Sequence, residues 1–295
     1  MSSANSVLSL ANDRERSDRR SWNMFRLHRL ALASALVLLI FVGVAIFADQ
    51  IMPYDPNTTH TDYARGKPQP PTLEYALGTD NYGRDYLSRT ISGVRVSLFV
   101  GISAVTFQLL IGVTIGAFAG YFGGWVDNLL MRLTDVFLAV PAFMLLLILA
   151  GILGGTLFAL ILAIGALNWM TVARLVRGQF LSLREREFVV AGRCIGASHW
   201  RLIWLYLLPN TLSSIIVAAT LSIPGAILTE SALSFLGLGV PPPDASLGNM
   251  LGGAQQWIRT AWWMWIVPGA TISLIVLAFN FVGDGLRDAL DPQLR

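Results

Sequence analysis

R-E-R-E-F-V-V-A-G-R-C-I-G-A-S-H-W-R-L-I-W-L-Y-L-L-P, residues Arg184 to Pro209, is a polar island of 26 residues between two long apolar runs. It holds four arginines (184, 186, 193 and 201), two glutamates and His199, with Arg174 and Arg177 just upstream. Phe188, Ala191, Gly192 and Ile195 recur at i, i+3, i+4 and i+7, which is one face of a short helix. Gly196 suits the left-handed position that ends such a helix. Ser198 is placed to cap a second helix running to Pro209. Small residues on a short helix invite close docking of another surface, and a solvated loop between spans is the plain alternative.

The apolar runs on either side set the class. Of 295 residues, 54% are hydrophobic and 13% charged, against about 25% charged in soluble domains. The chain therefore reads as an all-α integral membrane protein. Leu30–Ala48 is uncharged, and its length is about that of one bilayer crossing. It lacks a small-x-small cleavage site, so it reads as a retained first span and not as a signal peptide. The charge-free stretch from Val96 to Val126 places a second span at about 97–122, with Gly112, Gly116 and Gly120 on one packing face. Val136–Ala173 is too long for one span and divides at Gly151–Gly155 into spans at about 136–152 and 156–173. A fifth follows at about 211–229, with Pro224 as a kink. A sixth lies at about 264–283, flanked by an interfacial belt of Trp257, Trp262, Trp263 and Trp265. The total is six transmembrane helices.

Three organisational units follow: a polar tail 1–29, a first span with a polar loop at 30–95, and a core at 96–295 carrying the 184–209 loop. The polar loop is rich in proline and ends in L-G-T-D-N-Y-G-R-D-Y-L-S-R-T-I-S-G-V-R-V-S-L, residues 77–98. Arg84 can pair there with Asp80 or Asp85. Glu230 closes the fifth span, either as an interfacial carboxylate or as a pathway group. The run S-A-L-S-F-L-G-L-G-V-P-P-P, residues 231–243, is broken by Gly and Pro and reads as a re-entrant or interfacial element.

These motifs carry a resemblance. The island resembles the "EAA" loop of binding-protein-dependent ABC-transporter permeases: Val190, Ala191 and Gly192, then Gly196 and Ala197, then Tyr206, Leu208 and Pro209. Val190, Gly192 and Tyr206 depart from the family's Glu, Ala and Ile. The outer G-T-D-x-x-G-R-D run (Gly78, Thr79, Asp80, Gly83, Arg84, Asp85), the F-L-G-L-G run and the ending A-F-N-F-V-G-D-G-L-R-D-A-L-D-P (278–292) resemble the peptide permeases at the same points. The chain is similar to the second permease subunit of a dipeptide, oligopeptide or nickel importer, of the type I ABC-importer permease fold. The resemblance implies a heterodimer with a sister permease, two cytoplasmic ABC ATPase subunits on the island, and an extracytoplasmic substrate-binding protein. It implies di- or oligopeptides as cargo, with nickel or antimicrobial peptides on the same machinery as alternatives. It places the chain in a bacterial or archaeal cytoplasmic membrane.

Charge bounds the rest. Fifteen of the 21 basic residues lie on the side of the termini and the island, and six lie opposite. The positive-inside rule then puts both termini in the cytoplasm. A net charge of +3 gives no reason to expect nucleic acid. No phosphate-binding G-x-x-x-x-G-K-[ST] loop occurs, no Ser/His/Asp set is credible, and one cysteine with three scattered histidines offers no metal site. The expectation is a non-enzymatic subunit without cofactor, with ATP hydrolysis on separate chains. An ion-gradient-driven secondary transporter is the competing class, and it would be expected to show inverted repeats and midplane charges.

Overall fold

The computed structural model describes residues 29–60, 66–154 and 156–290. Most of the arginine-bearing tail, Arg65, Gly155 and the end of the C-terminal motif from Asp291 lie outside the described residues. Among the described residues the secondary structure is helical, with one isolated bridge between Thr79 and Asp85. Four helices are long and apolar enough to cross a membrane: α1 (Arg29–Ile46), α2 (Tyr86–Phe122), α8 (His199–Phe235) and α10 (Trp262–Leu290). Between them lie α3 (Gly124–Ala139), α4 (Ala142–Leu153), α5 (Leu157–Ala166), α6 (Trp169–Leu183), α7 (Glu187–Cys194) and, after α8, the short α9 (Leu247–Ala254).

Six crossings are reached when α3 with α4, and α5 with α6, each count as one span bent by 82° and 42°. The straight span expected at 136–152 is therefore corrected to a broken one. Pro141 has no N–H to donate and holds Val140 in an extended conformation, φ −92° and ψ 132°, so helix cannot pass. At the second break, Asn168 turns its side-chain amide back onto the Ile164 carbonyl at 2.7 Å. Hydropathy alone could not see either bend, because both lie inside a stretch without charge.

The central helix is α2, capped by Asp85, whose carboxylate accepts from the Ser88 amide at 2.8 Å. It starts at Tyr86, so the boundary drawn between residues 95 and 96 falls inside it. Its glycine face lies on α6, as the spacing predicts. A Cβ at Gly112 would come within 2.8 Å of the Trp169 carbonyl, and one at Gly120 within 2.6 Å of Phe180 Cβ. Small residues let backbones approach where lipid supplies no hydrophobic drive. Val100, Ala104, Leu160, Ile164 and Leu233 form a core between α2, α5 and α8. A second core joins α1, α2, α8 and α10 through Phe41, Leu98, Ile227, Ile275 and Phe279.

The helix expected to stop at Pro209 does not stop. It continues through a π-helical stretch, Leu202–Leu207, and on to Phe235. The π stretch shifts the hydrogen-bond ladder where Pro209 cannot donate. Asn210 covers the Tyr206 carbonyl with its side chain at 2.6 Å.

Candidate functional site

Local sequence builds the island into a hairpin of α7 and the start of α8. Gly196 has φ +80°, the left-handed conformation that its place predicts. Its amide donates to the Arg193 carbonyl and the Ala197 amide to the Gly192 carbonyl, each at 3.0 Å, closing α7. Ser198 then caps α8, its hydroxyl accepting from the Arg201 amide at 3.4 Å.

Two side chains tie α6, which leads into this hairpin, to α3, and two more tie the hairpin and its approach to the end of α2. Arg177 on α6 makes a bidentate pair with Asp127 on α3, with the second bond at 2.7 Å. Arg174 pairs with Asp135 at 2.6 Å. Arg184 reaches the Gly120 carbonyl at the end of α2, and His199 Nδ1 lies 2.8 Å from the Tyr121 hydroxyl. Beneath them Phe180, Val189, Leu202 and Leu207 form a buried cluster. The aspartates were invisible as partners in the sequence, because they lie roughly 40 to 50 positions away and no local spacing links them.

The residues singled out by the motif do not share one surface. Val190, Ala191, Gly196 and Pro209 are exposed, and Ala197 and Leu208 are half-buried. Gly192 instead turns inward, where a Cβ would stand 2.9 Å from Leu202. This corrects the grouping of Gly192 with an outward contact face. The outward surface is more apolar than the motif implied. Ile195 at the tip is 79% exposed, with Phe188, Trp200 and Trp204 also open. Exposed large apolar groups at a polar hairpin mark a contact surface.

At the opposite end of α2, the G-T-D-N-Y-G-R-D run forms a tight knot. Asp80 accepts from the Tyr82 and Arg84 amides, and Arg84 binds it through Nε and Nη2, both at 2.7 Å. Arg89 lies 3.6 Å from the same carboxylate and donates to the Pro56 carbonyl at 2.9 Å. Gly78 and Gly83 take φ +73° at the two turns of the knot. Trp263, expected in the interfacial belt, is buried and donates to the Thr79 carbonyl at 3.3 Å, while Trp262 and Trp265 face outward.

Two cavities accompany these features. One, of 480 Å³, opens at the knot between Asn57, Arg84, Pro243 and Asn249. The other, of 560 Å³, lies between α6, α8 and the end of α10 and is lined by Thr171, Gln179, Ser213, Ser222 and Arg287. Glu230 lines neither cavity; it is fully enclosed and accepts from Ser97 and Ser234 at 2.8 and 2.7 Å. Among the described residues no cluster of metal-ligating side chains forms.

Residues 112–295 match the family described as binding-protein-dependent transport system inner membrane component. Residues 19–71 match the N-terminal transmembrane domain of oligopeptide transport permease C. The chain is 41% identical to a dipeptide transport system permease protein of Alkalihalophilus pseudofirmus, over 94% of this chain and 90% of that one. It is 39% identical to the oligopeptide transport system permease protein of Bacillus subtilis, over 97% and 95%. A di/tripeptide transport system permease protein of Pseudomonas aeruginosa is 42% identical, over 93% and 91%. Among solved structures, the inward-facing MetNI methionine ABC transporter shares the fold, with a TM-score of 0.55 at 20% identity, covering 69% of this chain and 96% of that one.

Proposed function

The chain belongs to the family of binding-protein-dependent transport system inner membrane components, and on that premise we propose that it carries di- or oligopeptides inward through the membrane. Its relatives are permeases for dipeptides, di/tripeptides and oligopeptides, which supports that cargo class. One ATPase subunit seats on the coupling loop of this chain, residues 184–209, and a second on the matching loop of a sister permease, at the cytoplasmic side. A binding protein delivers cargo at the opposite side.

One observation carries this reading: the hairpin joins α6 to α8, and those two helices, with the end of α10, wall the larger cavity. Its hydroxyls and the Gln179 amide suit peptide groups, and Arg287 supplies a cation for a carboxylate. A push on the hairpin therefore acts directly on the walls of the groove. With no P-loop of its own, the subunit depends on partner chains for ATP hydrolysis.

The test is uptake of a labelled tripeptide by proteoliposomes holding the complex purified through this chain. Uptake that needs external binding protein and internal ATP, and survives collapse of the proton gradient, is the expected result. Uptake abolished by the ionophore but indifferent to ATP would overturn the reading in favour of a secondary carrier.

A further inference from the structure

Glu230 stands five residues before the end of α8, with no exposed surface. Among the described residues its carboxylate faces no cation in an ion pair. Three serines meet it instead: Ser97 belongs to α2, and Ser231 and Ser234 to α8. A buried carboxylate is costly to desolvate, so this degree of hydroxyl cover is a structural commitment.

One of those hydroxyls also reaches the following segment: Ser234 Oγ accepts from the Val240 amide at 3.2 Å while donating to Glu230 at 2.7 Å, a bond strongest to an ionised carboxylate. Further on, Ser246 caps α9, its Oγ accepting from the Asn249 amide at 3.2 Å. The backbones are correspondingly close: a Cβ at Gly248 would lie 2.6 Å from Ser231 Cα, and one at Gly239 2.5 Å from Ser234 Cα. The segment from Leu236 to Ala254 is thereby seated on α8 and α2 beside the buried carboxylate and linked to it through Ser234.

The other end of α8 is His199, in the hairpin. Its 37 residues form one unbroken helix, about 55 Å long at 1.5 Å per residue. We infer that Glu230 is a positioning residue for transport: it pins the 236–254 segment to the far end of α8, so that movement of the hairpin reaches that segment as displacement of one body. The transport half of this inference rests on the importer reading; the pinning does not.

Glu230→Gln keeps the shape but offers an amide N–H₂ where donors already point. Hydrogen exchange on the full complex in nanodiscs should show the 236–254 amides exchanging about tenfold faster, with α6 unchanged. Tripeptide carried per ATP hydrolysed should fall about tenfold, with Glu230→Asp recovering part of it. Should Glu230→Gln fail to assemble, Ser97→Ala and Ser234→Ala each remove one donor and are read the same way, with smaller effects. Wild-type yield of transport per ATP in an assembled variant would overturn the inference. So would faster exchange spread evenly over all helices, which is the mark of a merely structural residue. Absence of ATP-dependent uptake in the unaltered complex would instead sink the importer reading, leaving the exchange result to judge the pinning.

Discussion

Asp80 is shared by two guanidiniums, and its removal is the sharpest single-residue test of the knot before α2. Its side chain is 5% exposed and that of Arg84 14%, so water cannot replace the lost partner. Asp80→Ala should lower stability by about 3–5 kcal/mol, the cost of stranding a buried charge, read as a fall in the thermal unfolding midpoint in detergent. Arg95→Ala breaks the pair with Asp49, in which both side chains are about half exposed or more. Its cost should stay below about 1 kcal/mol, and a loss as large as that of Asp80→Ala would refute the burial argument. Asp80 and Arg84 are four positions apart and could be paired by inspection of the sequence. The bonds from Arg89 to Pro56 and from Arg177 to Asp127 could not, because folding alone brings those positions together.

Single elements carry two further tests. On α2, a Cβ at Gly116 would come within 2.8 Å of Val176 Cβ. Gly116→Leu must therefore separate α2 from α6, at about 1–3 kcal/mol or more for overpacking. Gly178 on α6 has nothing within 4 Å, so Gly178→Ala should be neutral or stabilising by up to about 1 kcal/mol. In the hairpin, Gly196 has open space around it but a left-handed backbone. Gly196→Leu should reduce peptide carried per ATP about tenfold, while Gly196→Asn, which tolerates that conformation, separates backbone strain from bulk at the contact surface. Normal coupling in Gly196→Leu would remove Gly196 from the proposed ATPase seat.

At the scale of the whole molecule, orientation is the decisive quantity. Cys194 is the sole cysteine of the chain and is exposed in the hairpin, so it reports which side the island occupies. A membrane-impermeant maleimide should label it in inside-out vesicles and spare it in right-side-out ones. The opposite pattern would invert the proposed topology and detach the hairpin from any cytoplasmic ATPase. Among the described helices α8 runs from the hairpin directly into the 236–254 segment.

Sequence by itself determined the class, the approximate positions of the long helices, the break at Gly196 and the glycine face of α2. Each of these follows from local chemistry: an apolar run of bilayer length, a residue without a Cβ, or small side chains at helical spacing. The tertiary structure decided the rest. It carried α8 through Pro209 and turned Gly192 inward. It also enclosed Glu230 among serines drawn from α2 and α8. Those outcomes depend on which distant surfaces meet, and no local pattern of apolar and polar residues encodes the direction a buried side chain faces.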